Sequence, residues 1–323
     1  MAALKLAGVL ATALMIVSQA AQPQTAYPTR PLRIVVPSAA GGAGDTVARV
    51  IAQPLSERIG QPVLVDARPG AGGIVGTEVV AKSAADGHTL LLSLPSMTIN
   101  HSVYKTLPYD VLRDFAAITQ ATSQPNMFVV HPSVPAKSVK ELIALAKARP
   151  GELAFASSGT GTSSHLTVEL FLLMSGTRML HVPYKGPTPG VIDLVAGRIA
   201  LAAPSTIATI AHVRAGRLRA IGVSTLKRVT ALPEIPTVSE AGVPGYESVS
   251  WYGLSTPTGT PKDVIARLYK ETAAILRTSE MKDRFARDGT EVVATSPDEF
   301  AAYIRSEVTK WAKVVKSADI KPE

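Results

Sequence analysis

At 323 residues, 46% hydrophobic and 18% charged, the chain is long enough for about two domains and too apolar to be disordered. It has no cysteine, which excludes disulfides, thiolate metal sites, cysteine nucleophiles and lipid attachment through an N-terminal cysteine. The formal charge of +8 comes from scattered basic residues and aromatics are only 5%, so neither a nucleic-acid platform nor a carbohydrate-stacking cleft is expected.

Residues 1–21 read as an export signal. Lys5 gives a short basic start, 6–17 is an apolar run, and Ser18-Gln19-Ala20 and Gln19-Ala20-Ala21 offer small-x-small cleavage sites. Such a run rises about 18 Å as a helix, short of the roughly 30 Å hydrocarbon core. The mature protein is expected to be exported, soluble and without a lipid anchor.

Strand and helix patterns then alternate. A β-branched strand at 32–36 precedes a helix at 45–59, a strand at 63–65, a helix at 74–82 and a strand at 89–93. The pattern restarts with a strand at 127–130 and a helix capped by Ser138, with Glu141 three residues on. Strands at 153–156, 179–182, 199–202 and 218–223 follow, separated by helices near 164–174, 189–196 and 207–214. This alternation predicts an α/β fold with mainly parallel sheets. From Trp251 the chain changes character, with helix starts at Thr260-Pro261 and at Ser296-Pro297 with Glu299. Phe300, Tyr303, Ile304, Val308, Trp311 and Val315 form one apolar face, read as core. These last helices have no sheet of their own and must pack on the first lobe. The expected division is 27–124 and 250–323 for lobe 1 and 125–249 for lobe 2, with crossings near 120–126 and 248–254.

Two strand-to-helix junctions carry the chemistry. One reads Ser38-Ala39-Ala40-Gly41-Gly42-Ala43-Gly44-Asp45, the other Ser157-Ser158-Gly159-Thr160-Gly161-Thr162-Ser163-Ser164-His165. Small residues let backbone N–H groups approach a ligand, and a helix N-terminus behind them adds unpaired donors and a positive dipole end. Facing each other, two such loops would clamp a small anion or both ends of a dianion. Either loop alone is equally a tight turn, and Asp45 equally a helix cap. Gly42-Ala43-Gly44 also suggests a dinucleotide fingerprint, but Val47 stands where the third glycine belongs. Ser163, His165 and Asp193 make a triad on paper without a G-x-S-x-G elbow, which leaves an exported Ser/His hydrolase as the alternative. The histidines are dispersed, so no metal site and no cofactor are expected.

Several motifs in order, 37–45, Arg68-Pro69-Gly70-Ala71-Gly72-Gly73, Asp86-Gly87-His88, 157–166, His181-Val182-Pro183-Tyr184-Lys185-Gly186 and Trp251-Tyr252-Gly253-Leu254, resemble the Bug receptors. These are extracytoplasmic solute-binding proteins of tripartite tricarboxylate transporters. His88 departs from the family's usual tyrosine, and Pro204-Ser205 lies in a variable cleft segment. The resemblance implies a two-lobed periplasmic binding protein of the Venus flytrap type, monomeric and not catalytic. It implies a small carboxylate ligand, and the membrane components of a transporter as partners. Carried over residue by residue, it nominates Ala39, Ala40, Gly41, Gly42 and Asp45 on lobe 1 and Ser157, Ser158, Gly161, Thr162, Ser163 and His165 on lobe 2. Ser93, Pro95, Tyr184, Lys185, Pro204 and Ser205 would line the pocket wall.

Overall fold

The computed structural model describes residues 27–320 except 288 and 319, so the expected export signal at 1–21 lies outside the described residues. Among the described residues the strands are β1 Leu32–Val36, β2 Val63–Ala67, β3 Thr89–Ser93, β4 Phe115–Pro125, β5 Met127–Val130, β6 Ala154–Ser157, β7 Leu180–Pro183, β8 Leu201–Ala202, β9 Arg219–Val223, β10 Val249–Pro257 and β11 Glu291–Val292. The helices are α1 Ala43–Ile59, α2 Ile74–Ala81, α3 Pro95–Val103, α4 Val139–Ala148, α5 Ser163–Ser175, α6 Pro187–Val195, α7 Thr206–Arg214, α8 Lys262–Leu276, α9 Ser279–Ala286 and α10 Pro297–Ser317.

The strands form two sheets, ordered β11-β4-β10-β3-β1-β2 and β7-β6-β8-β5-β9. β1 pairs in parallel with β2 and β3, Ile34 standing opposite Val65 and Leu90. β6 pairs in parallel with β7 and β8. β10 runs against both of its neighbours, and so does β5. Each sheet therefore keeps most strands in one direction, with the exceptions placed next to the chain crossings. The mainly parallel, helix-flanked, two-lobed α/β architecture read from the sequence is the one observed.

Strand parity separates the faces of the first sheet. Ile34, Leu90 and Leu92 join Ile51, Leu55, Leu268 and Leu276 in one core. Val35 and Leu91 face the other way, onto Trp251, Phe300, Ile304 and Val308. The second sheet packs Phe128, Phe155, Phe171 and Tyr246 on one side. Each fully buried side chain of this size stabilises the fold by roughly 1.5–3 kcal/mol. Helix starts follow local chemistry. Ser138 Oγ accepts the Glu141 N–H at 3.2 Å, and Ser296 forms a reciprocal capping box with Glu299.

Two chain crossings join the sheets. β4 passes into β5 through Asn126 alone, and β10 returns after the segment 224–248. The two crossing strands pair with each other, Val249 opposite Pro125 and Ser250 opposite Gln124. Among the described residues no helix is long and apolar enough to cross a membrane.

Candidate ligand-binding site

The lobe-1 loop links β1 to α1. Its turn needs φ +75° at Gly41, which suits glycine. The Gly42 N–H donates to Ala39 O at 3.2 Å, and the Gly41 N–H donates to Asp45 Oδ2 at 3.0 Å. Asp45 is 4% exposed, and Arg49 Nε also reaches its Oδ2, at 2.9 Å. Burial opposes charge on Asp45, but the Arg49 guanidinium and the Gly41 N–H outweigh it and hold the carboxyl below its ordinary pKa. Asp45 Oδ1 is buried without a hydrogen-bond partner among the described residues. Asp45 thus braces its own loop from the first turn of α1. Ser93, at the end of β3, is fully buried and donates to Ser255 Oγ at 2.8 Å. Pro95 is buried at the first position of α3.

The lobe-2 loop links β6 to α5 and is also internally bonded. Ser158 N–H donates to Ser164 Oγ at 2.9 Å, Gly159 N–H to Ser157 Oγ at 3.1 Å and Thr162 N–H to Gly159 O at 3.2 Å. The Gly161 N–H donates to His165 Nδ1 at 3.3 Å, so the His165 proton sits on Nε2, 3.6 Å from Glu169 Oε1. His165 is 3% exposed and stacks on His181, ring centroids 3.9 Å apart. His181 Nε2 lies 2.6 Å from Ser157 Oγ. Burial and then the neighbouring His165 push the His181 pKa down to about 3.

The other nominated residues are spread around these loops. Tyr184 donates to Asp193 Oδ2 at 2.7 Å, Lys185 is exposed, and Ser205 precedes α7 in a bridge with Asn126. Pro204 helps line a recess of about 10 Å³ with Ser157, Ser158, Ser164, Pro187 and Gly190. Helix α6 also starts at this recess, but Pro187 and Pro189 remove two of the amides a helix start presents, so α5 offers the stronger anion end. The paper triad is not assembled. Ser163 Oγ bonds Asn126 and Ser250, His165 serves Gly161, and Asp193 pairs with Tyr184 and Arg198.

Each loop lies at close range to a segment of the opposite lobe. A Cβ built on Gly72 would lie 3.0 Å from Thr160 O, one on Gly186 3.6 Å from Ala39 Cβ, and one on Gly161 would meet Asn100 Oδ1. The cleft is therefore closed. Asn100 is fully buried at this contact and donates to Gly72 O at 3.1 Å. Asn100, Asn126 and His181 were not nominated from the sequence. Each acts through partners distant along the chain, and no local spacing announces them.

The two-lobed α/β fold is shared with known proteins. The model of the tripartite tricarboxylate transporter family receptor matches residues 47–320. The chain belongs to that family of receptors. Its relatives include the UPF0065 protein in the tcbD-tcbE intergenic region of Pseudomonas sp. strain P51, 39% identical over 96% of this chain and 92% of the relative. Protein BugT of Bordetella pertussis is 38% identical over 91% of each chain. Among solved structures, R. palustris Rpa4515 with adipate superposes with a TM-score of 0.88 at 38% identity, covering 92% of this chain and 100% of the other. MatC from Rhodopseudomonas palustris with bound malate gives 0.84 at 28% identity, covering 90% and 100%. The Bug-type receptor assignment made from the motifs therefore holds, and with it a periplasmic binding-protein fold.

Proposed function

We propose that this receptor captures a small carboxylate, most simply a dicarboxylate, between its lobes and delivers it to the membrane components of a tripartite transporter or to a sensing partner. The carrying observation is the pair of glycine-rich loops, each ahead of a helix N-terminus and each close to a segment of the opposite lobe. Lobe 1 offers the loop amides of Ala39 and Ala40 and the first turn of α1, because the Gly41 and Gly42 amides are engaged within the loop. Lobe 2 offers the first turn of α5 with the Ser158 and Thr162 side chains. The pocket wall then comprises Ser93, Pro95, Tyr184, Lys185, Pro204 and Ser205. Adipate and malate bound to the two relatives support the ligand class. The protein acts in the periplasm after removal of its export signal, as a monomer and without catalysis. Lobe 1 comprises 27–124 and 250–323, lobe 2 comprises 125–249, and closure turns on the two crossings.

Calorimetric titration with adipate, malate, citrate, nicotinate and glutamate tests this reading. Saturable 1:1 binding of at least one is expected, lost in Gly42→Asp and Thr162→Asp, which put negative charge at the two helix starts. Binding of none, or unchanged affinity in both variants, refutes it.

A further inference from the structure

One asparagine joins both chain crossings to the helix that carries the lobe-2 loop. Asn126, between β4 and β5, is 1% exposed. Its Nδ2 donates to Ser163 Oγ at 3.2 Å and Thr167 Oγ1 at 2.8 Å, both in the first turns of α5. Its Oδ1 accepts from Ser250 Oγ at 2.9 Å, on the returning strand β10. Ser163 Oγ and Ser250 Oγ are 2.9 Å apart. The Ser250 proton is committed to Asn126, so Ser163 must donate to Ser250. The three groups then form a closed ring, Asn126 to Ser163 to Ser250 and back, in which every proton points the same way round.

The ring is extended on both sides. Thr167 Oγ1 lies 2.7 Å from Ser248 Oγ, the Asn126 N–H donates to Ser224 Oγ at 2.8 Å, and the Ser224 hydroxyl donates to the Ser248 carbonyl. Ser224 and Ser248 bound the segment that leads from lobe 2 back to lobe 1. Ser163 is half-buried and the other members are buried, and in such surroundings chains of hydrogen bonds polarise one another and tolerate little distortion. Packing alone does not call for this arrangement. The apolar residues of α5, Leu166, Val168 and Phe171, already seat the helix. The polar ring sits instead where the two crossings meet, and Ser163 directly follows the N-cap Thr162 of the ligand loop.

Resting on the receptor reading above, we propose that Asn126 is a positioning residue that couples the hinge to the ligand loop. It holds the first turn of α5 in register with both crossing strands, so a change in hinge angle and a change in the lobe-2 anion site are one event. Without it the hinge can turn while the α5 start stays behind, and the closed cleft no longer forms as a unit.

The natural absence of cysteine makes the test direct. Dyes placed at Glu57→Cys on α1 and Lys147→Cys on α4, both exposed positions, report lobe separation by single-molecule energy transfer. Asn126→Ala and Ser250→Ala are expected to broaden or shift the ligand-free separation. They should weaken adipate binding about tenfold or more, mostly through faster dissociation. The double variant should lose no more than the worse single one, because both break the same ring. Unchanged ligand-free separations overturn the proposal, as do losses that sum independently. If adipate fails to bind the parent protein, the ligand-free separations still decide this proposal, and the failure falls on the ligand reading alone. If Asn126→Ala does not fold, Ser163→Ala and Ser250→Ala carry the same comparison.

Discussion

Acidification should destabilise this protein through His181, by an amount that follows from its surroundings. Its imidazole stacks against both Phe155 and His165 and is hydrogen-bonded to the Ser157 hydroxyl, and its pKa is pushed down to about 3 from the ordinary 6.5. The unfolded chain takes up a proton near pH 6.5 while the folded protein refuses it, so stability falls as pH drops below that value. Between pH 7 and pH 5 the unfolded side gains about 1.4 pH units of proton uptake, a ceiling of roughly 2 kcal/mol at 1.36 kcal/mol per unit. The ring is only partly buried, so about half of that is expected. A loss of this size lowers the melting temperature by a few degrees. The assay is thermal unfolding at pH 7, 6 and 5 for the parent and for His181→Gln, which keeps a polar group beside Ser157 but cannot take up the proton. The parent should lose stability more steeply than the variant. Parallel slopes would show that His181 is solvated well enough to titrate normally, and would refute the argument.

Three further outcomes follow from close contacts. Gly76→Ala places a Cβ 2.7 Å from both Arg68 O and Pro37 Cα, backbone that cannot swing aside; urea unfolding should show a loss of about 1–3 kcal/mol or more. Gly161→Ala forces an alanine to φ +76° and into Asn100 Oδ1, so adipate binding should weaken more than global stability, and adding Asn100→Ala should restore part of it. Glu307 is 4% exposed and accepts from Trp251 Nε1 at 3.1 Å and Trp311 Nε1 at 2.9 Å. Glu307→Ala strands two indole donors and should cost about 2–5 kcal/mol by urea unfolding, with Glu307→Gln costing clearly less.

Strands such as β1 and β3 were legible because short runs rich in branched apolar residues end at turn signals. β4 was not read as a strand. Its Ala, Gln, Ser and Thr residues lack both β-branched density and alternation, and its pairing with β10 supplies what propensity does not. α3 was missed for the opposite reason. Thr98, Ile99 and Val103 favour strand, but Pro95 sets the first helical φ and the chain follows. In the site, the glycine pattern located both loops. What each amide does was not readable, because it depends on how the chain curls back. Gly41 meets Asp45 and Gly161 meets His165 only once the left-handed turns are made. His181 finds Ser157 through the parallel pairing of β6 with β7, a partnership set 24 residues apart in the chain.

The lobes touch at Gly72, Gly161 and Gly186, three positions that bring no side chain of their own, and also where Leu166 of α5 packs on Ile99, Val103 and Trp311. At the three glycines shutting the cleft sacrifices no rotamer freedom, which lowers the ordering penalty for a cleft that shuts empty. For such a receptor, capture rate is set by how often the entrance stands open, and the fraction of time it does so scales the affinity that any solution measurement reads.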